Sequence, residues 1–167
     1  MTAALALAFM LVNAQPSEPP TVAHLVREAC VETEMNREAI DRLARERGWR
    51  SVRTRSSSPA PGWSVGYRVR DAHVALTSLP GPGGVDPSLG SICTVDAARA
   101  RGDWLTEIAQ LAADLGLQPD RVPDLPIEGE MRMWSSLGGY TLTSTYDRAS
   151  GRVVVSLSRQ LVLIEAD

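Results

Sequence analysis

A chain of 167 residues, 44% of them apolar and 22% charged, is long enough for one domain with its own core. Its net charge of -3 excludes the strong positive balance of a general nucleic-acid binder. The composition is neither that of a disordered chain nor that of a collagen or a coiled coil. All 17 basic residues are arginine. Arginine is the better fork for carboxylate and phosphate, but here it is scattered along the chain, as the codon usage of a GC-rich genome also produces.

Ala3 to Val12 form an apolar run too short to span a membrane. The run matches the hydrophobic core of a secretory signal peptide, with an acceptable cleavage site after Ala14. The amino-terminal flank carries no Lys or Arg. The expected division is a signal peptide over 1–14, a proline-containing flexible linker over 15–20 and one domain over 21–167. No later uncharged segment reaches membrane-spanning length, so the mature chain is expected in the periplasm or outside the cell. Cys30 and Cys93 are the only cysteines, and an even count in an exported chain favours a disulfide. Closing a loop of this length is worth roughly 4 kcal/mol in the chain-entropy account.

Thr21 is a candidate N-cap. Val22, Leu25, Val26, Ala29 and Cys30 then repeat at helical spacing. The stripe resumes at Ala39, Ile40, Leu43 and Ala44 after a polar stretch in which Thr33 or Asn36 suits a second cap. Either one bent helix or two short ones fit. Gly48 and Trp49 make the glycine-plus-apolar signature of a helix end. Residues 53–62 read as a polar loop. Trp63, Val65, Tyr67 and Val69 alternate with polar positions as a half-buried strand, and a turn at Asp71-Ala72 leads to a strand over 73–79. A glycine- and proline-rich loop follows, then a strand over 91–95 carrying Cys93. Asp103 caps a helix with Leu105, Ile108, Leu111, Ala112 and Leu115 on its apolar face, closed by Gly116-Leu117. Pro119, Pro123 and Pro126 read as a stiff connector. Strands follow over 131–136, 140–146 and from Arg152 to about Ile164, with turns at Gly138-Gly139 and over 147–151. The expected fold class is α+β. It has an antiparallel sheet with helices packed on one side, in the order αβββ-αβββ, with a pseudo-duplication suggested by the two glycine-ended helices and by Trp63 and Trp134. Cys30 on the helix stripe and Cys93 on the third strand would staple helix to sheet.

Ala29-Cys30-Val31, Thr33, Gly48-Trp49, Ser91 to Val95, Leu115-Gly116-Leu117 and Trp134 together resemble a group of small secreted α-proteobacterial proteins. In that group one cysteine precedes a Gly-Trp, and a second lies in a C-[ST]-V strand. The resemblance spans about Val26 to Leu157 and implies export, the disulfide and the α+β order. It implies no activity.

Few residues carry a chemical signature. His24 and His73 have no partner at metal-ligand spacing, and no Ser lies in a G-x-S-x-G elbow. Ser56 to Ser58 suit a solvated loop. Glu28/Glu32 and Glu34/Glu38 are spaced to share a helix face, which fits a solvated surface better than an acid-base pair. The glycine stretches lack the phosphate-loop patterns. The four tryptophans read as core. Arg50, Arg53, Arg55, Arg68 and Arg70 are the exception: if the loop after the first helix lies over the next strand, five guanidinium groups gather as an anion or acidic-partner site. No catalytic set, metal site or cofactor is expected, nor a nucleic-acid partner. The sequence favours a non-enzymatic binding or interaction module, with another envelope protein as partner. The alternative is a hydrolase-type enzyme whose His, Ser and carboxylate come together from distant positions.

Overall fold

A computed structural model describes residues 20–53, 63–79, 90–122 and 129–160. The signal peptide expected over 1–14, most of the expected linker, residues 54–62 with Arg55, residues 80–89, residues 123–128 and the expected continuation of the last strand beyond Gln160 lie outside the described residues.

The expected α+β class, with its αβββ-αβββ order, is corrected to a sheet-dominated fold. Among the described residues eight antiparallel strands form one sheet in the order β1-β2-β3-β4-β8-β7-β6-β5, and the sheet dominates the fold. The strands are β1 (Arg50–Val52), β2 (Ser64–Val69), β3 (Ala72–Leu79), β4 (Gly90–Ala97), β5 (Gln118–Asp120), β6 (Glu130–Ser135), β7 (Tyr140–Asp147) and β8 (Arg152–Gln160). The two strands absent from the expectation are the three-residue edges β1 and β5, whose side chains are almost all exposed and leave no period-two signal. Of the expected proline connector, Pro123 and Pro126 lie outside the described residues, while Pro119 lies in β5 opposite Trp134. Proline is tolerated there because an edge strand need not donate on both sides.

The helical segments are α1 (Val22–Val26), a π-helical turn (Arg27–Val31), α2 (Arg37–Glu46) and α3 (Trp104–Asp114). Thr21 caps α1, accepting from the His24 N–H at 3.3 Å. Asn36 caps α2, accepting from the Ala39 N–H at 3.1 Å. The first helical region is therefore two pieces, separated by Glu34 and Met35 at φ 54° and 52°. Gly48 at φ 66° ends α2, and the Trp49 N–H donates to the Ala44 carbonyl at 2.8 Å. Gly116 and Leu117 end α3 in the same way. Both ends satisfy carbonyls that would otherwise be left without partners.

The sheet's inner face is one apolar surface. Val74, Val95 and Val155 stand side by side across β3, β4 and β8. Leu76, Cys93, Leu157 and Leu142 form the next row across β3, β4, β8 and β7. These side chains are buried, together with the α1 stripe and with Ile108, Leu111 and Ala112 of α3. Burying each Leu or Val contributes about 1.5–3 kcal/mol. The outer face is rich in hydroxyls that pair with one another, Thr94 with Ser156 at 3.0 Å and Ser64 with Thr77 at 3.0 Å. Cys30 and Cys93 form the disulfide, with Cα atoms 5.6 Å apart. It joins the π-helical turn to the central strand β4 inside the core. No helix among the described residues is long and apolar enough to cross a membrane.

Candidate functional site

Strand register sets the main feature. β1 pairs with β2 so that Arg50 stands opposite Arg68, and β2 pairs with β3 so that Arg68 stands opposite His73. Directly opposed residues share a face. Arg50, Arg68 and His73 therefore form a row across three neighbouring strands of the outer face, each roughly 5 Å from the next strand. Arg70 caps the turn between β2 and β3, at φ 55°. This is left-handed backbone that an arginine adopts only at a cost.

Arg50, Arg68 and Arg70 have no carboxylate partner among the described residues. The nearest acids are already engaged. Asp96, next in the row after His73, accepts from Arg152 through both oxygens, at 2.8 and 2.6 Å. Asp71, in the same turn as Arg70, accepts from Arg101 at 2.8 Å. Like charges placed directly opposite across strands are destabilising, so the fold gains nothing from facing Arg50 with Arg68.

Two hollows flank this ridge. One, of about 700 Å³, is lined by Arg68 and Arg70 with Trp49, Arg47, His24 and Glu28. Glu28 is buried. Arg47 approaches its Oε1 and His24 Nε2 lies 3.8 Å from its Oε2. The Arg47 contact is close in distance but lacks hydrogen-bond alignment. Trp49 packs near Tyr67, ring centroids 6.3 Å apart. The Tyr67 hydroxyl donates to Asp41. Its ionisation is pushed well above the usual tyrosine range, first by burial and then by that carboxylate. The second hollow, of about 460 Å³ on the outer face, is lined by Arg68, Arg70, His73, Asp96, Ser150 and Arg152 among others. With Glu28 held by Arg47 and Asp96 by Arg152, the ridge between the two hollows is positive.

The structure thus brings together three of the five arginines singled out in the sequence. Arg53 is exposed just beyond β1, and Arg55 lies outside the described residues. His73 joins the row. Arg47 and Trp49 also line the site, and neither was among the sequence-based candidates. His73 was legible in principle: a two-residue turn at Arg70-Asp71 forces Arg68 opposite His73, whereas the expected turn one residue later shifts the pairing. The carboxylate pairs behave differently from each other. Glu28 is the buried partner of Arg47 while Glu32 is exposed, and the left-handed turn at Glu34-Met35 takes Glu34 and Glu38 off a shared helix face.

His73, Asp96 and Ser150 line one hollow, yet they do not make a relay. The Ser150 hydroxyl donates to Asp147 at 2.5 Å and Asp96 is held by Arg152. A nucleophile needs its base within hydrogen-bond reach, and that base needs its own orienting partner.

No protein-family model matches the chain, and neither a curated protein nor a solved structure matches it significantly.

Proposed function

We propose that the protein is an extracytoplasmic, disulfide-stapled binding module whose arginine ridge holds an acidic segment of another envelope protein. The observation that carries this reading is the ridge itself. Arg50, Arg68 and Arg70 are cations without a carboxylate partner among the described residues, two of them directly opposed and the third in strained backbone. Unpartnered, strained or mutually repelling groups kept together are the arrangement expected where a ligand supplies the missing charge. A planar guanidinium takes a carboxylate through two parallel hydrogen bonds. Strand neighbours spaced roughly 5 Å apart can engage successive acidic side chains of an extended peptide. The core disulfide supports a compartment that is oxidising.

The test is a fluorescence-anisotropy titration with a labelled glutamate-rich peptide. Binding is expected to weaken steadily with added salt, to fall about tenfold in Arg68→Gln for one lost charge-assisted contact, and to be absent for a lysine-rich peptide of the same length. Equal affinity for both peptides, or an unchanged affinity in Arg68→Gln, would remove the reading.

A further inference from the structure

A further cavity shares no lining residue with either hollow beside the arginine ridge. Its volume is about 380 Å³, and it opens between the first helical region, the end of α3 and the β7–β8 hairpin. The apolar part of its wall is made by Val31, Met35, Leu115 and Leu157 together with Cys30 of the disulfide and Tyr140. Two charged residues complete the lining. Arg159 stands opposite Tyr140 in the β7–β8 register, with its guanidinium carbon 5.6 Å from the ring centroid. Glu34 belongs to the left-handed turn at Glu34-Met35. Neither has an ion-pair partner among the described residues. Two consecutive non-glycine residues at φ 54° and 52° cost the fold of order 1–3 kcal/mol each, and both line this cavity.

We propose that this cavity is a binding site for an aliphatic monocarboxylate, the acyl chain inside and the carboxylate on Arg159. The volume lies in the range of small-molecule sites, which are mostly apolar with a few polar groups that fix orientation. Arg159 is held over an aromatic face rather than by a carboxylate of the protein, so its hydrogen-bond donors are available to an anion. Glu34 repels the same anion, and so the ligand has one orientation: head at Arg159, chain toward Cys30 and Leu157. The site does not depend on the arginine ridge, and the two are tested separately.

Isothermal titration with hexanoate, octanoate and decanoate reads the chain. Each added methylene is expected to tighten binding about fourfold until the cavity is full, the fold-change that methylene burial provides. Octanol and octylamine at the same chain length read the head. Octanoate is expected to bind at least tenfold tighter than either. Arg159→Gln is expected to weaken octanoate about tenfold and Glu34→Gln to strengthen it, while neither changes octanol. Val31→Trp fills the cavity and is expected to abolish uptake. Because that variant alters a packed position, the two surface variants decide the matter if it does not fold. Arg70→Gly is expected to leave octanoate binding unchanged. The proposal is overturned by octanol binding as well as octanoate, by Arg159 and Glu34 variants that act alike, or by no saturable heat with any chain. Self-association of the protein that Val31→Trp disrupts, with no uptake of octanoate, also overturns it, since the cavity then seats a second copy.

Discussion

Arg70 separates a structural account of the ridge from a functional one. Its φ of 55° places it in the left-handed region, which costs a residue with a Cβ about 1 kcal/mol and costs glycine nothing. Its guanidinium meets no carboxylate among the described residues, so removing the side chain forfeits no ion pair seen in the fold. Arg70→Gly relieves the strain but also loosens the unfolded chain, and the net expectation is a gain of roughly 0.5 kcal/mol. Arg70→Asn tolerates the same backbone without the full entropy loss and is expected to gain about as much. For a domain of this size each kcal/mol moves the melting temperature by roughly 2–4 °C, so both variants should melt one or two degrees higher. Affinity for the glutamate-rich peptide should meanwhile fall about tenfold, the loss of one charge-assisted contact. Circular-dichroism melts and the anisotropy titration, run on the same preparations, give the two numbers. Higher stability with weaker binding is the signature of strain kept for function. Lower stability with unchanged binding would refute the reasoning: Arg70 would then be a turn residue whose side chain supports the fold.

Other outcomes follow from the same geometry. Arg68→Thr removes the like-charge opposition to Arg50 and is expected to stabilise by about 0.2–1 kcal/mol in a urea melt, again with loss of peptide binding. Replacing Cys30 and Cys93 together by alanine opens a loop with a sequence separation of 63 and should lower stability by about 4 kcal/mol, read as a shift in the urea midpoint without reductant. Gly129→Ala should be strongly destabilising, about 2 kcal/mol or more, because a Cβ there meets the Tyr146 carbonyl oxygen at 2.4 Å and φ is 135°. In acid the protein should lose stability. Asp147 is held below the usual carboxylate range by the Ser150 hydroxyl and the Ala149 N–H, Asp120 by Ser135 and the Arg121 N–H, and Asp114 by Gln110 and Arg27. A folded-state value below the unfolded one gives stability that is complete above the ordinary carboxylate range. That stability drains as pH falls through the lowered values, so melts below about pH 4 should drop faster than those between pH 5 and 7.

What the sequence made legible was whatever rests on side-chain period or on caps. Val22 to Cys30 repeats at helical spacing because those side chains all enter the core. Thr21, Asn36 and Asp103 announce their helices because each side chain accepts a backbone N–H. The disulfide was legible from two cysteines alone. β1 and β5 were not, because Arg50–Val52 and Gln118–Asp120 belong to the sheet through backbone hydrogen bonds while their side chains face water. Propensity and period carry no information about such strands, and Pro119 argues against the second. That omission hid the chemistry too. Without β1, Arg50 has no register partner, and Arg50 opposite Arg68 is visible only once both strands are placed.

The two candidate sites share a physical logic. Several charges away from these sites are satisfied: Arg152 takes Asp96, Arg101 takes Asp71, Arg148 takes Glu130 and Arg27 takes Asp114. Even the outer-face hydroxyls pair across strands. Exposed charges without an ion pair stand elsewhere too, at Arg42, Arg99 and Arg132 for example, but two groups of them coincide with strained backbone. Arg50, Arg68 and Arg70 stand on the ridge, while Glu34 and Arg159 line the apolar cavity, and each place also holds non-glycine backbone at positive φ. Among the described residues those three positive-φ positions, Glu34, Met35 and Arg70, are the complete set of that kind. A fold selected for stability alone would place glycine or asparagine at such positions and supply a carboxylate beside such arginines. Coincidence of strained non-glycine backbone with unpartnered charge is what singles the two places out. Grafting asparagine at 34 and 70 therefore has a definite expected result, a more stable protein that binds the acidic peptide more weakly and octanoate more tightly.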